Sequence, residues 1–126
     1  MKIVNDIKKF PLYSTYAKKF PVTSGTVFAY DDTIYSNYPM PDHLIVHEVT
    51  HLEQQKRIGL AKWVDLYLSD DQFRLDQEVE AYKNQVRSVK NKSERFKIAQ
   101  LCADSLASDL YGNLITKSEA FKLIYS

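Results

Sequence analysis

Asp42-His43-Leu44-Ile45-Val46-His47-Glu48-Val49-Thr50-His51-Leu52 is the stretch on which the reading of this 126-residue chain turns. Asp42, just after Pro41, is suited to an N-cap and Gly59 to a C-terminal stop, so the residues between them are expected to form one helix of about four to five turns. At about 100° per residue, His47 and His51 fall within about 40° of each other. They share one face. Ile45, Val46, Val49 and Leu52 gather on the other, which is expected to anchor the helix to the core.

Within this helix His47-Glu48-Val49-Thr50-His51 fits the pattern H-E-x-x-H. Two imidazoles one turn apart can grip a single Zn²⁺ ion, and the intervening glutamate then stands beside the activated water. Chance yields this pattern in a chain of this size on the order of once in a few hundred sequences. Catalytic zinc sites use three protein ligands and keep one position open. The remaining histidine, His43, lies about 12 Å along the helix from His51, too far to bind the same ion, and reads as a cleft-wall or capping residue. The third ligand is therefore expected to be a carboxylate.

Downstream, Gln77-Glu78-Val79-Glu80-Ala81-Tyr82 offers two glutamates. Leu75, Val79, Tyr82, Val86 and Val89 form an apolar stripe; Glu78 flanks it by about 60°, Asp76 by about 100° and Glu80 by about 140°. Helical angle thus favours Glu78, with Glu80 and Asp76 as competitors and an ion pair with Arg74 as its non-metal alternative.

The H-E-x-x-H helix followed by a second helix bearing E-x-x-A resembles the gluzincin class of zinc metallopeptidases. His47 to Gln54, Glu78 to Tyr82 and Tyr111-Gly112-Asn113 resemble small phage-encoded putative metallopeptidases, over about Ile34 to Ile124. The resemblance implies metal ligands His47, His51 and Glu78, with Glu48 as general base in peptide-bond hydrolysis. Many such proteins carry Asp four residues after the ligand glutamate, where this chain has Tyr82. It also implies a minimal zincin-like domain.

The rest of the chain suits that expectation. The first forty residues, rich in Tyr, Phe, Val and Ile and broken by Pro11, Pro21, Gly25 and Pro39, read as short strands and turns. Thr26–Tyr30, Asp31-Asp32 and Thr33–Ser36 read as a hairpin. After the motif helix, Trp63–Leu68 suggests a short helix. Ser69-Asp70-Asp71-Gln72 reads as a capping box opening a helix to about Val89, Asn91–Glu94 as a cap for another ending near Gly112, and Thr116–Glu119 as a capping box for a last helix through Leu123. The expected class is α+β, a small N-terminal sheet or hairpin followed by four to five helices, in one domain over 1–126.

Composition excludes several functions. A formal net charge of +1 gives no global field for nucleic acid or an anionic membrane. The acidic stretch from Asp65 to Glu80 is followed by six bases from Lys83 to Lys97 against Glu94 alone, and that run reads as a solvated helix face. Cys102 is the only cysteine, so no internal disulfide forms, and its apolar neighbours mark it as a buried small residue. Absence of an apolar leader or spanning segment points to the cytoplasm, the host cell's if the chain is phage-encoded.

The expected partner is a peptide or protein substrate, lying as an added strand against Thr33–Asn37 if that segment is an edge. Tyr111, Tyr82, Arg74 and His43 are candidates for oxyanion donor, with Tyr111 put forward. The rival from another class is a non-catalytic, zinc-stabilised structural or interaction protein, as in a phage particle.

Overall fold

The computed structural model describes residues 1–125. It is an α+β fold in which a three-stranded sheet built from the N-terminal third packs against a helical layer. β1 (Lys2–Val4) leads through a 3-10 turn (Ile7–Lys9) to α1 (Tyr13–Lys19), then β2 (Val27–Tyr30) and β3 (Thr33–Ser36) form the expected hairpin. Five helices follow: α2 (Asp42–Ile58), α3 (Leu60–Ser69), α4 (Asp71–Ser88), α5 (Lys92–Leu106) and α6 (Lys117–Ile124).

The sheet order is β1-β3-β2, with Ile3 opposite Ile34 in the parallel pair and Phe28 opposite Tyr35 in the antiparallel one. β3 is thus the central strand, which overturns Thr33–Asn37 as an edge for an added substrate strand. The edge on the site's side is β2, and α2 already covers part of it: Gln55 Nε2 donates to Ala29 O at 2.9 Å and Asp31 N–H donates to Gln55 Oε1 at 2.9 Å.

Several boundaries differ from those expected, each for a local reason. Pro41, not Asp42, caps α2, and Asp42 is its first residue, where a carboxylate suits the positive end of the helix dipole. Gly59 ends α2 at φ +106° and directly precedes α3, a conformation L side chains rarely adopt. That single-residue joint lets α3 start at Leu60, three residues before the expected Trp63. Asp70, not Ser69, caps α4: its side chain accepts from Phe73 N, whereas Ser69 Oγ donates back to Asp65 O inside α3. α5 stops at Leu106, well short of Gly112, and a 3-10 turn (Asp109–Tyr111) follows. Asn91 and the Thr116–Glu119 capping box act as read.

The core forms two clusters. One joins Ile7, Phe10, Tyr16, Phe28, Tyr35, Trp63 and Tyr67; the other joins Tyr82, Val86, Ala99, Cys102, Ala103, Leu106, Ala120 and Ile124. α2 lies between the sheet and α4, with its buried face made of His47, Glu48, Thr50, His51, Leu52, Gln54 and Gln55. Leu52 is buried as expected, but the other three apolar residues expected to anchor the helix are not. Ile45, Val46 and Val49 are only half-buried and line a shallow outer groove with Asn84 and Arg87, while the histidine face points inward. Polar groups can occupy a core-facing stripe only if they are paired, and here His47, Thr50, His51 and Gln54 are paired with α4 and Gln55 with β2 and the turn after it.

Candidate metal centre

α2 and α4 run side by side and bring His47, His51 and Glu78 together, all three buried. His47 Nε2 and His51 Nε2 lie 3.2 Å apart, and Glu78 Oε1 is 3.2 Å from His47 Nε2 and 3.3 Å from His51 Nε2. Four-coordinate binding with bonds of about 2.0–2.1 Å separates neighbouring ligand atoms by about 3.3 Å. Three ligand atoms thus occupy the corners of one face of such a tetrahedron. These residues lie close enough to hold a metal ion.

The surroundings fix the orientation of each member. His51 Nδ1–H donates to Gln54 Oε1 at 2.8 Å, which frees Nε2 to face the centre. Gln54 is fully buried and its Nε2 donates in turn to Gln77 O at 3.0 Å and Glu80 Oε1 at 2.7 Å. Glu80 therefore sits behind the site, half-exposed and also paired with Arg57, while Glu78 enters it. The Tyr67 hydroxyl donates to Glu78 Oε2 at 2.5 Å. Its ring stacks on Trp63 at 4.7 Å, and Trp63 Nε1 donates to Gln77 Oε1 at 3.1 Å.

Charge in this buried space is strongly perturbed. Burial alone would raise the Glu78 carboxyl, but the charges of His51 and His47 and hydrogen bonds from both rings together hold it well below the usual carboxylate range. Burial would lower His51, yet the adjoining Glu78 charge and hydrogen bond push it up to about 9. Burial raises Glu48, with His47 and His51 opposing. Glu48 Oε2 is 3.9 Å from His47 Nε2, and the residue lines the same cavity as the triad.

That cavity, about 300 Å³, opens between the aromatic side, with Phe20, Phe28 and Trp63, and the helical side, with Ile98, Leu101 and Tyr111. The Tyr111 and Tyr82 hydroxyls are 2.8 Å apart at its wall. Burial, then the Glu78 charge, raises both phenols well above their ordinary value. His43 lines the cavity but stays out of the triad, with Nδ1 accepting from Gln85 Nε2 at 2.8 Å. Arg74 is not Glu78's partner. Its guanidinium donates to Tyr67 O, Tyr111 O and Asp71, tying the 3-10 turn to α3 and α4.

Gln54, Tyr67 and Gln85 were not anticipated. Gln54 carried a signal, being three residues beyond His51 on the same helical face. Tyr67 and Gln85 reach the site only through tertiary packing. Of the basic run, Arg87, Lys90, Lys92 and Lys97 are exposed, and Arg95 donates to Val89 O and Lys90 O, closing the α4–α5 turn. Cys102 is buried and its thiol is pushed up to about 12 by that burial. No helix among the described residues is long and apolar enough to cross a membrane.

Comparison with protein-family models, with curated proteins and with solved structures gave no match.

Proposed function

We propose that this chain is a zinc-dependent metallopeptidase that hydrolyses peptide bonds. The observation that carries the reading is the 3.2–3.3 Å spacing of the three ligand atoms of His47, His51 and Glu78 beside Glu48 in an accessible cavity. Two imidazoles and one carboxylate are a donor set characteristic of catalytic zinc, and His47, His51 and Glu78 would hold the ion. When bound, the ion supplies Lewis acidity, polarising a substrate carbonyl and acidifying water.

The chain's own groups do the rest. Glu48 takes the proton of the attacking water and returns it to the leaving amine; a carboxyl raised by burial is better matched to both steps near neutral pH than an exposed one. Of the Tyr82 and Tyr111 hydroxyls, one donates to the other, which leaves one O–H free to donate to the developing oxyanion. Tyr111, on the 3-10 turn at the cavity wall, is the one we assign. The aromatic and aliphatic walls exclude bulk water and strengthen these interactions.

A zinc-stabilised structural protein is the competing reading, favoured by the near-complete burial of the triad between the two core clusters. Glu48→Gln separates them. With zinc loaded, unfolded protein and peptide mixtures are incubated with each form and products followed by mass spectrometry. The peptidase loses about 10²- to 10⁴-fold in turnover with zinc content unchanged. Equal turnover in both forms would remove Glu48 from the mechanism. No turnover by the fully zinc-loaded unaltered chain would favour the structural role.

A further inference from the structure

Among the described residues that line the cavity beside the triad, the only carboxylates are Glu48 and Glu78, and there is no Asp, Lys or Arg. Both acids already have tasks on the metallopeptidase reading, Glu78 with the ion and Glu48 with the attacking water. His43 adds no charge, because burial holds its pKa below the ordinary value and leaves the ring neutral at neutral pH. Arg74, whose guanidinium packs over the Phe20 ring at 5.2 Å, is buried and directs its hydrogens to Tyr67 O, Tyr111 O and Asp71. No free charge is left to meet one brought in by a ligand.

A chain terminus needs what this inventory lacks. Cleavage next to a free end places an α-ammonium or an α-carboxylate beside the scissile bond, and a charge taken out of water without a partner is strongly disfavoured. The walls offer apolar surface instead. Leu101 on α5 lines the cavity yet is 62% exposed, which puts a large aliphatic side chain at its mouth, and Ile98 stands one turn before it. Phe20 and Val22 line the cavity from the segment that follows α1. Tyr16 and Ser105 add hydroxyls, neutral groups suited to the N–H and C=O of a peptide.

We propose that this cavity receives an uncharged, apolar internal stretch of a polypeptide and not a chain terminus, with Leu101 selecting the apolar side chain at the mouth. On the peptidase reading, on which this rests, the bond cut is therefore an internal one. The substrate passes through the open cavity and both of its charged ends stay in water, where they need no partner from the protein.

Binding and cleavage are tested separately on the full chain. Trp63, the only tryptophan, lines the cavity, so its fluorescence reports binding of a peptide of Ala, Leu and Phe with acetyl and amide ends to the metal-free protein. Leu101→Met should bind it within about threefold of the unaltered chain, and Leu101→Asp about 10-fold more weakly. Because Leu101 is exposed, both variants should fold, which thermal melting checks. The zinc-loaded, unaltered chain is then given a longer peptide with an apolar centre and charged flanks. Mass spectrometry should place the cuts in the centre, at rates indifferent to blocking of the ends. Absence of binding, equal binding by a folded Leu101→Asp, or stepwise trimming from a free end would overturn the proposal and leave the metallopeptidase standing. Binding of the apolar peptide with no cut by the zinc-loaded chain would sink the peptidase reading and leave recognition of an apolar stretch standing.

Discussion

The two core clusters on either side of the triad are built from different materials. On the sheet side, Phe10 stacks on Phe28 at 4.5 Å and meets Tyr16 edge-on at 5.0 Å, and Tyr16 continues to Tyr67 and Trp63. These rings bring area and, in Tyr67 and Trp63, polar tips that end on Glu78 and Gln77. On the helical side, Ala99, Ala103 and Ala120 are fully buried and let α4, α5 and α6 approach closely around Leu106 and Ile124. The aromatic cluster can thus both pack and position the site. The alanines of the other cluster can only pack, and that cluster meets the site through Tyr82, whose ring lies edge-on to His47 at 4.4 Å.

The contrast is broken most directly by Leu106→Ala, which opens a cavity in the tightly packed helical cluster. The expected cost is about 2–5 kcal/mol in denaturant unfolding, with zinc affinity of the folded fraction unchanged. On the other side, Tyr67→Phe keeps the ring stack and removes only the donor to Glu78 Oε2. Here zinc affinity should fall about 10- to 100-fold, measured by chelator competition, for a smaller change in unfolding free energy. If Leu106→Ala weakened zinc as much as Tyr67→Phe, the two clusters would not divide packing from positioning.

Legibility in the sequence follows the same line. His47, His51 and the angle that separates Glu78 from Glu80 depend on one helical period each, and the Asn91 and Thr116 caps on three residues each, so local sequence carries them. α1 was hidden because Tyr13-Ser-Thr-Tyr16 between Pro11 and Pro21 has strand-like composition and its N-cap, Leu12, makes no side-chain cap bond. It is held by Tyr16 against Phe10 and Phe28, a tertiary cause. β3 looked like an edge because nothing nearby announces that Lys2–Val4 pairs with it. The inward turn of α2's polar face was concealed for a related reason. Hydrophobic periodicity assumes that the core is apolar, and a metal centre buries His, Glu and Gln instead.

The smallest expected effect sharpens the comparison from the helical side alone. Thr116 accepts from Glu119 N at 3.2 Å, and Glu119 Oε1 accepts from Thr116 N at 3.1 Å, so two orphan donors at the start of α6 are met reciprocally. Glu119 is fully exposed, and the cap acts only through α6, which carries Ala120 and Ile124 into the alanine-lined cluster. Thr116→Ala should therefore cost about 1 kcal/mol of stability. Thermal unfolding with and without zinc gives the check: the melting temperature should drop by a similar amount in both, because α6 enters the cluster through Ala120 and Ile124 and supplies no residue to the triad. A drop confined to the zinc-free protein, or one that grows when zinc is present, would mean that α6 is coupled to the metal centre and that the division between the clusters is drawn in the wrong place.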